Sequence, residues 1–373
     1  MPFSLYFTVQ CHCLIFAFIT IKKLIYMGIT IRNGIPTRCF SKNIPNLTVG
    51  IGGDRLEVGI RVNNEQVYSE TLFPVNTTIT LSELGNLLTS YVRRPLVAQC
   101  HITMEEYKDG SATDRSSIDF TLVYCEADVP TSCDDFCHNH FLSLLIGTKI
   151  TSVGRLEYLH YVGNDAANVT AYYTDGSMQS FGVTPMSSNP SFTTIDVSPK
   201  GYMQPGKSLR GYVVTAGARR QSFIIDAACP DASPILLFVN SFGCDELLYC
   251  TGTLKKSPTF KRKSAVIDGV NKNYSIVETR QFKADTGILN EDMADWFGDV
   301  LRSPLVRVVT LRGGSVTVGR EVIITDSKTD QTNRAEEMPR FTFTYQYAQR
   351  NHNVVELDRT GRVFDHTFDY TFE

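Results

Sequence analysis

Residues 290–309 carry an amphipathic-helix pattern that ends at a proline and is followed by a strand pattern. The apolar residues of the helix recur at spacings of three and four, namely Met293, Trp296, Phe297, Val300 and Leu301. Asn290 stands at the N-cap position, and two acidic residues follow it in the first turn, where they complement the helix dipole. Pro304 stops the helix, and the Val-rich and Leu-rich residues 305–311 indicate a buried strand. We therefore predict a helix over 291–302, with Trp296, Phe297 and Leu301 in its core face.

A similar pattern occurs earlier in the chain. Thr80 and Glu83 have the spacing of a capping box, and an apolar face follows at Leu84, Leu87, Leu88 and Tyr91. Pro95 ends this second helix, which we predict over 81–91 with Leu84 and Leu88 as core residues. An extended stretch precedes each helix and an apolar strand follows each proline. Two interpretations stay open. The chain contains a duplicated domain with one helix across a sheet, or two unrelated domains share the common order of capped helix, proline and strand.

The length of 373 residues predicts two or three domains. Residues 27–129 and 229–373 are predicted as β domains, each a sheet or barrel with one flanking helix. Residues 130–228 are predicted as a linker and an inserted small β-sandwich, because regular short strands and turns fill this region. The fold class is therefore mainly β.

The N-terminal residues 1–26 differ in composition from the rest. Residues 3–21 are almost all apolar, and Lys22 and Lys23 follow them. The run is nearly long enough to span a bilayer, yet it has no basic residue ahead of it and no small-residue cleavage site behind it. Three readings stay open: translation that truly begins at Met27, a membrane anchor, or a secretory signal.

Residues 133–140 hold the densest collection of potential metal ligands, Cys133, Cys137, His138 and His140. Structural zinc sites usually draw two ligand pairs from separated segments, so a structural loop is the favoured interpretation. The sequence contains no nucleophile elbow, no phosphate-binding loop and no His-Glu-x-x-His. We therefore predict no catalytic residues, no cofactor and no enzyme activity.

The segment Lys255–Lys263 is the one concentrated basic patch, with Phe260 among its charges. Such a patch suits nucleic-acid binding, but a solvated loop or subunit contact is more common. The formal net charge of −3 gives no electrostatic case for nucleic acid, so no specific nucleic-acid partner is predicted.

In general sequence character, three segments of the chain are similar to a known group of proteins: residues 235–248, 283–306 and 323–327. This part of the chain resembles tail-associated proteins of phages and prophages of Bacteroidetes, in particular those of the tail tip and baseplate hub. Tail-tube and hub proteins are similar in having sheets or barrels with one flanking helix. The resemblance implies a non-enzymatic structural component that assembles into trimeric or hexameric rings with other tail proteins.

The resemblance also implies a location in the virion tail, after assembly in the host cytoplasm. The alternative is a cell-envelope protein whose middle sandwich binds a surface glycan through exposed aromatics such as Tyr172 and Tyr173. A membrane contact is expected only if residues 1–26 belong to the working protein. A hydrolase with unmarked carboxylates is the remaining, less favoured option.

Overall fold

The computed structural model describes residues 28–187, 191–312, 315–330, 337–350 and 352. The apolar segment 1–26, whose role the sequence left open, lies outside these residues. The described chain is mainly β, with five sheets and three α-helices. It divides into two compact units, which meet between Tyr124 and Cys125.

The first unit contains eight strands and one helix. Its strands are β1 (Thr30–Asn33), β2 (Arg38–Phe40), β3 (Leu47–Gly50), β4 (Arg55–Val62), β5 (Glu65–Leu72), β6 (Thr78–Leu81), β7 (Val97–Lys108) and β8 (Ser111–Val123). They form a five-stranded sheet in the order β2-β8-β7-β4-β5 and a three-stranded sheet in the order β1-β3-β6. The helix α1 is Leu84–Val92, and its Leu84, Leu88 and Val92 pack into the core of this unit.

The start of α1 differs from the sequence-based prediction of residues 81–91. Thr80 lies in strand β6, opposite Thr48 of β3, so it is part of a ladder and does not cap the helix. Glu83 occupies the N-cap with a left-handed backbone, φ 57°, and makes no side-chain cap hydrogen bond. The capping-box prediction is therefore wrong, because strand pairing extends closer to the helix than the local motif indicated.

The middle of the chain contains the short helix α2 (Cys133–Asn139) and two sheets. Its strands are β9 (Thr148–Thr151), β10 (Tyr158–Val162), β11 (Ala167–Tyr173), β12 (Met178–Val183), β13 (Phe192–Asp196), β14 (Leu209–Ala216) and β15 (Arg219–Ile225). The order β12-β11-β14-β15-β9 makes one sheet, and β10 pairs with β13 in the other. One hydrophobic cluster takes side chains from both sheets, including Tyr161 and Ile195 from the smaller sheet and Val169 and Tyr212 from the larger.

The last region is built on a seven-stranded antiparallel sheet. Its strands are β16 (Ile235–Val239), β17 (Asp245–Tyr249), β18 (Leu254–Ile267), β19 (Val270–Asp285), β20 (Val306–Arg312), β21 (Ser315–Lys328) and β22 (Thr342–Tyr347). The order in the sheet is β17-β16-β20-β21-β22-β19-β18. The helix α3 is Glu291–Arg302, the range expected from the sequence, and the Asn290 side chain accepts a hydrogen bond from the Met293 amide at 2.9 Å.

Helix α3 lies against one face of this sheet. Trp296 packs on Phe238 of β16 with ring centroids 5.5 Å apart, and Phe297 packs on Phe343 of β22 at 5.7 Å. Both helix side chains are almost fully buried, whereas Leu301 is half-buried at the margin of the same core. Alternate residues of each strand point to this face, which explains why the strands of this core read as alternating patterns.

The two β regions are partly alike in element order but differ in sheet order. The first unit has β4–β5, the extra strand β6, α1 and β7–β8 in chain order, and the last region has β18–β19, α3 and β20–β21. In the first unit β4 pairs directly with β7, whereas in the last region β22 lies between the two hairpins. None of the sheets in the described residues closes on itself, so the barrel form of the fold prediction is not present there.

Candidate functional site

The four potential zinc ligands of residues 133–140 do not all share one side of the segment, since only the two cysteines lie on the same helix face. Helix α2 begins at Cys133, with the Ser132 hydroxyl accepting from the Asp135 amide at 3.1 Å. Cys133 and Cys137 are buried with sulfur atoms 3.9 Å apart, because a spacing of four places them on one helix face. His138 is exposed on another face, and the His140 ring lies 5.1 Å from that of Phe136. No group of three or more potential ligands occurs among the residues that the structure describes.

A buried carboxylate lies at the centre of the second unit. Glu246 on β17 accepts a 2.6 Å hydrogen bond from the indole N–H of Trp296 and a 2.7 Å bond from the Asn240 amide. Its side chain is in the core, and burial raises its pKa, an effect that the nearby Lys149 ammonium opposes. The two hydrogen bonds reduce the free-energy cost of burying this carboxylate. They also hold the Glu246 side chain in one orientation.

Lys149 of β9 joins this carboxylate to a second one. Its Nζ donates to Glu157 at 2.7 Å and to the Leu247 carbonyl at 3.1 Å, and it lies 4.9 Å from the centroid of the Trp296 ring. The other oxygen of Glu157 accepts from the Thr151 hydroxyl at 2.7 Å. One lysine thus stands between two glutamates that come from different elements of the unit.

The space around these charges is too small for a substrate. The cavity lined by Lys149, Glu157 and Glu246 has a volume of about 20 Å³, which is room for one water molecule. Paired carboxylates that hydrolyse glycosidic bonds need access for a sugar and a water. We therefore interpret the Lys149 cluster as an internal connection between β9, β17 and α3.

Sequence reasoning missed all three charged members of this cluster. The strand sequences carry little signal of it, since β9 is mostly polar and β17 holds Asp245 beside Glu246. A charge that is buried among apolar side chains is normally paired, but one sequence does not say which charges meet.

The hairpin formed by β18 and β19 is a long, mostly exposed feature of the second unit. Its strands are 14 and 16 residues long, and a turn at Asp268 and Gly269, with φ 56° and 75°, joins them. These positive φ values match the tight turn that Asp-Gly favours in hairpins. The segment Lys255–Lys263, for which a solvated loop was one reading, is therefore part of a strand.

The hairpin exposes large apolar side chains at an unusual density. Seven of them are at least 43% exposed, namely Phe260, Val266, Ile267, Val270, Tyr274, Ile276 and Val277. They are divided between the two faces of the hairpin, with Phe260 and Ile276 on one face and Val277 on the other, and three of them lie next to the turn. Apolar side chains scattered singly on a surface are normal, but this many on one hairpin mark a candidate interaction surface. The hairpin is thus the strongest candidate interface in the described part of the second unit.

The two edges of the seven-stranded sheet are treated differently. The outward carbonyls of Asp245 and Leu247 on β17 accept hydrogen bonds from His160 Nε2 at 3.0 Å and from Lys149 Nζ at 3.1 Å. At the opposite edge, β18 pairs with β19 alone within the described residues. In the part of the chain that the structure describes, side chains therefore engage the outer edge of β17, whereas the outer edge of β18 is left for a further strand.

The aromatic pair expected to face solvent in the middle region does not do so. Tyr172 is 40% exposed, but Tyr173 is buried and donates its hydroxyl to the Tyr202 carbonyl at 2.9 Å. Neighbouring residues of a strand point to opposite faces, so both cannot line one surface. The prediction of Tyr173 as an exposed glycan-contact residue is wrong.

The remaining residues named in the sequence analysis lie either in a hydrophobic core or in a turn that follows a helix. Leu84 and Leu88 are buried in the first unit, whereas Pro95 and Pro304 are exposed in the turns after α1 and α3. In the described residues, no helix has the length and apolar content required to cross a bilayer.

Comparison with known proteins gives no family. No family model matches the chain, and no curated protein matches it. Among solved structures, the chain is similar over 86% of its length to the Plexin A4 extracellular region, with 9% identity and a TM-score of 0.20, and it spans 40% of that chain. The SGBP-B protein of the Bacteroides ovatus mixed-linkage glucan utilization locus, in complex with a heptasaccharide, has 12% identity and a TM-score of 0.15, over 67% of this chain and 70% of that one. Titin domains I67–I69 have 11% identity and a TM-score of 0.19, over 69% and 94%.

Proposed function

We propose that this protein is a non-enzymatic structural component of a phage or prophage tail or baseplate, and that it acts by assembling into an oligomeric ring. The observation that carries the proposal is the β18–β19 hairpin. Within the described residues it combines a strand edge that no other strand pairs with and seven exposed large apolar side chains on its two faces, groups that a neighbouring subunit would cover.

The tail-tube-like architecture belongs to the same proposal. What supports it is that the first unit and the last region each have one helix between two hairpins, packed against a β core, although strand β6 also precedes the helix in the first unit. The partners are further copies of this chain, as a trimer or hexamer, and other tail proteins. The site of action is the virion tail, after assembly in the bacterial cytoplasm.

The neighbour's contact surface for the hairpin is not strand β17. His160 and Lys149 already occupy two outward carbonyls of that strand, so a head-to-tail continuation from β18 to β17 would break one part-buried and one buried hydrogen bond. A ring therefore uses a heterologous contact in which the hairpin meets another surface of the next copy.

The test is the mass of the full chain by light scattering at several concentrations, followed by negative-stain imaging. We expect a closed trimer or hexamer with a central hole, and a monomer at every concentration would contradict the proposal. The variant Phe260→Thr/Ile276→Thr removes two exposed apolar groups but keeps strand propensity, so it should dissociate the ring without unfolding the subunit.

The matched control is Met178→Thr, which removes a 70% exposed apolar side chain from β12. The control should leave the mass unchanged. If rings form and the hairpin variant leaves them intact, ring assembly stands but its contact lies elsewhere.

A further inference from the structure

The β18–β19 hairpin has two chemically different faces. Directly opposite residues of an antiparallel pair share a face, and so do alternate residues along each strand. One face holds Phe282 and Ala284, which are buried in the core beneath α3. The other face therefore points away from that helix.

The face away from the helix is polar and cationic. Its members, which we call the lysine face, are Lys255, Ser257, Thr259, Lys261, Lys263, Ser275, Val277, Thr279, Gln281 and Lys283. It contains four lysines, several hydroxyl and amide groups, and no carboxylate. These four lysines make no ion pair within the described residues.

Two of the lysines are placed at an electrostatic cost. Lys255 lies directly opposite Lys283, and like charges at facing positions destabilise a strand pair. Nothing on the same face of the hairpin offsets this repulsion, whereas an anionic partner laid along the face would.

The basic character of the hairpin stands out against the rest of the protein. Residues 254–285 contain eight of the 36 Lys and Arg residues but only three of the 39 Asp and Glu residues. The formal net charge of −3 for the whole chain does not show this local excess of positive charge. A partner that binds at the hairpin interacts mainly with the charges near it.

We propose that the lysine face binds nucleic acid through its phosphate groups. Lysine, serine, threonine and glutamine are the side chains that typically contact phosphates. Same-face neighbours such as Lys261 and Lys263 are about 6.6 Å apart along the strand, close to twice the 3.4 Å rise per nucleotide of one strand. A flat row of cations therefore fits a repeating polyphosphate better than the irregular charges of a folded protein.

We expect the contact to read no base sequence, because the lysine face holds no aromatic residue that could stack on bases. Phe260 lies on the opposite face, with the Arg262 guanidinium 5.3 Å from its ring centroid, and Tyr274 stands at the register shift between Lys263 and Ser264. Binding therefore depends mainly on charge and weakens steeply with salt. The inference is independent of the ring proposal, because it needs the hairpin face and not a neighbouring copy.

The experiment is fluorescence anisotropy of labelled 20-nucleotide single-stranded DNA of two unrelated sequences with the full chain. With four phosphates neutralised, log affinity should fall with log salt at a slope of about −2.8, so affinity drops about 50-fold between 50 and 200 mM salt. Both sequences should bind equally.

The decisive variant is Lys261→Gln/Lys263→Gln, and its control is Lys256→Gln/Arg262→Gln. Both remove two positive charges from β18, but the control residues lie on the opposite face. The lysine-face variant should reduce the salt slope to about −1.4, an affinity loss of only about 7-fold over the same salt range, while the control keeps a slope near that of the unchanged protein.

Three outcomes would overturn the inference. One is the absence of binding at low salt, and another is an equal effect of the two variants. The third is a lysine-face variant that changes the subunit mass while DNA binding stays the same, which would assign this face to a contact between copies. Since DNA binding and ring mass are measured separately, failure of one proposal is distinguishable from failure of the other.

Discussion

The indole N–H of Trp296 donates a 2.6 Å hydrogen bond to the buried carboxylate of Glu246. Trp296 thereby links helix α3 to strand β17 through a polar bond as well as through its apolar area. Because it is the chain's one tryptophan, its fluorescence reports on this contact. The first predictions concern the network that surrounds it.

Replacing Trp296 separates its polar from its apolar contribution. Trp296→Ala should cost about 3–5 kcal/mol of unfolding free energy through the cavity it leaves. Trp296→Phe keeps most of the apolar area but leaves one Glu246 oxygen without its donor, at a cost of about 1–3 kcal/mol. Urea unfolding followed by circular dichroism measures both, and equal stability of the Phe variant and the unchanged protein would contradict the role of this bond.

Removing Lys149 should be more damaging than removing an exposed cation. Lys149→Met leaves Glu157 and Glu246 buried without their ammonium partner, which should cost about 3–5 kcal/mol. Adding Glu157→Gln should recover part of the loss, since it removes one of the two uncompensated charges. The control is Arg115→Gln, which breaks an exposed 2.6 Å ion pair with Glu105 and should change stability little. Tryptophan fluorescence in urea is the readout.

His160 predicts a loss of stability in mild acid. Its Nε2 faces the Asp245 carbonyl and must donate, so its Nδ1 accepts from the Thr194 hydroxyl, both at 3.0 Å. Burial lowers the pKa of this imidazole below its ordinary value, so the unfolded chain takes up a proton at a pH where the folded chain does not. The unfolded state then binds more protons, and stability falls as pH drops through the ordinary histidine pKa of about 6.5.

His160→Gln should flatten this dependence between about pH 7 and pH 5. Its matched control is His101→Gln, because His101 is half-exposed beside Asp119. The measurement is urea unfolding across that pH range, and an identical pH profile for His160→Gln and the unchanged protein would count against the interpretation.

Gly147 should not tolerate a side chain. Its φ is 132°, and a β-carbon there would lie 2.3 Å from Oδ2 of Asp292, the atom that accepts from the Thr148 amide at 2.7 Å. Gly147→Ala should therefore destabilise the second unit by about 1–3 kcal/mol. The control is Gly182→Ala in β12, where the added carbon meets nothing within 4 Å and should be neutral or slightly stabilising. Thermal unfolding of the two variants in parallel tests the difference.

The amphipathic helix 291–302 was accessible to sequence reasoning because its burial pattern, cap and stop are all local. The start of α1 was not, since Thr80 satisfies a local capping motif but is taken by pairing with Thr48, a partner 32 residues away. The β18–β19 hairpin was read in pieces because its exposed strands lack the alternation of a half-buried sheet. Asp268-Gly269 between β-branched residues was the signal that could have joined them.

The members of the Lys149 cluster could not be paired from the sequence alone. Glu157 and Glu246 are 89 positions apart, and their meeting at one ammonium depends on how the elements of the second unit pack. By contrast, the opposite exposures of Tyr172 and Tyr173 follow from strand periodicity alone, once the strand is known.

The side-chain bonds to β17 set a limit on how this sheet can propagate. A sheet with two free edges adds molecules without end, as amyloid fibres do, because each newcomer presents the same template again. Here His160 and Lys149 cover one edge, so a strand that pairs with β18 cannot be the β17 of another molecule. Concentrated protein should therefore not form fibres by joining β18 of one molecule to β17 of the next, because side chains of the same molecule already occupy that edge.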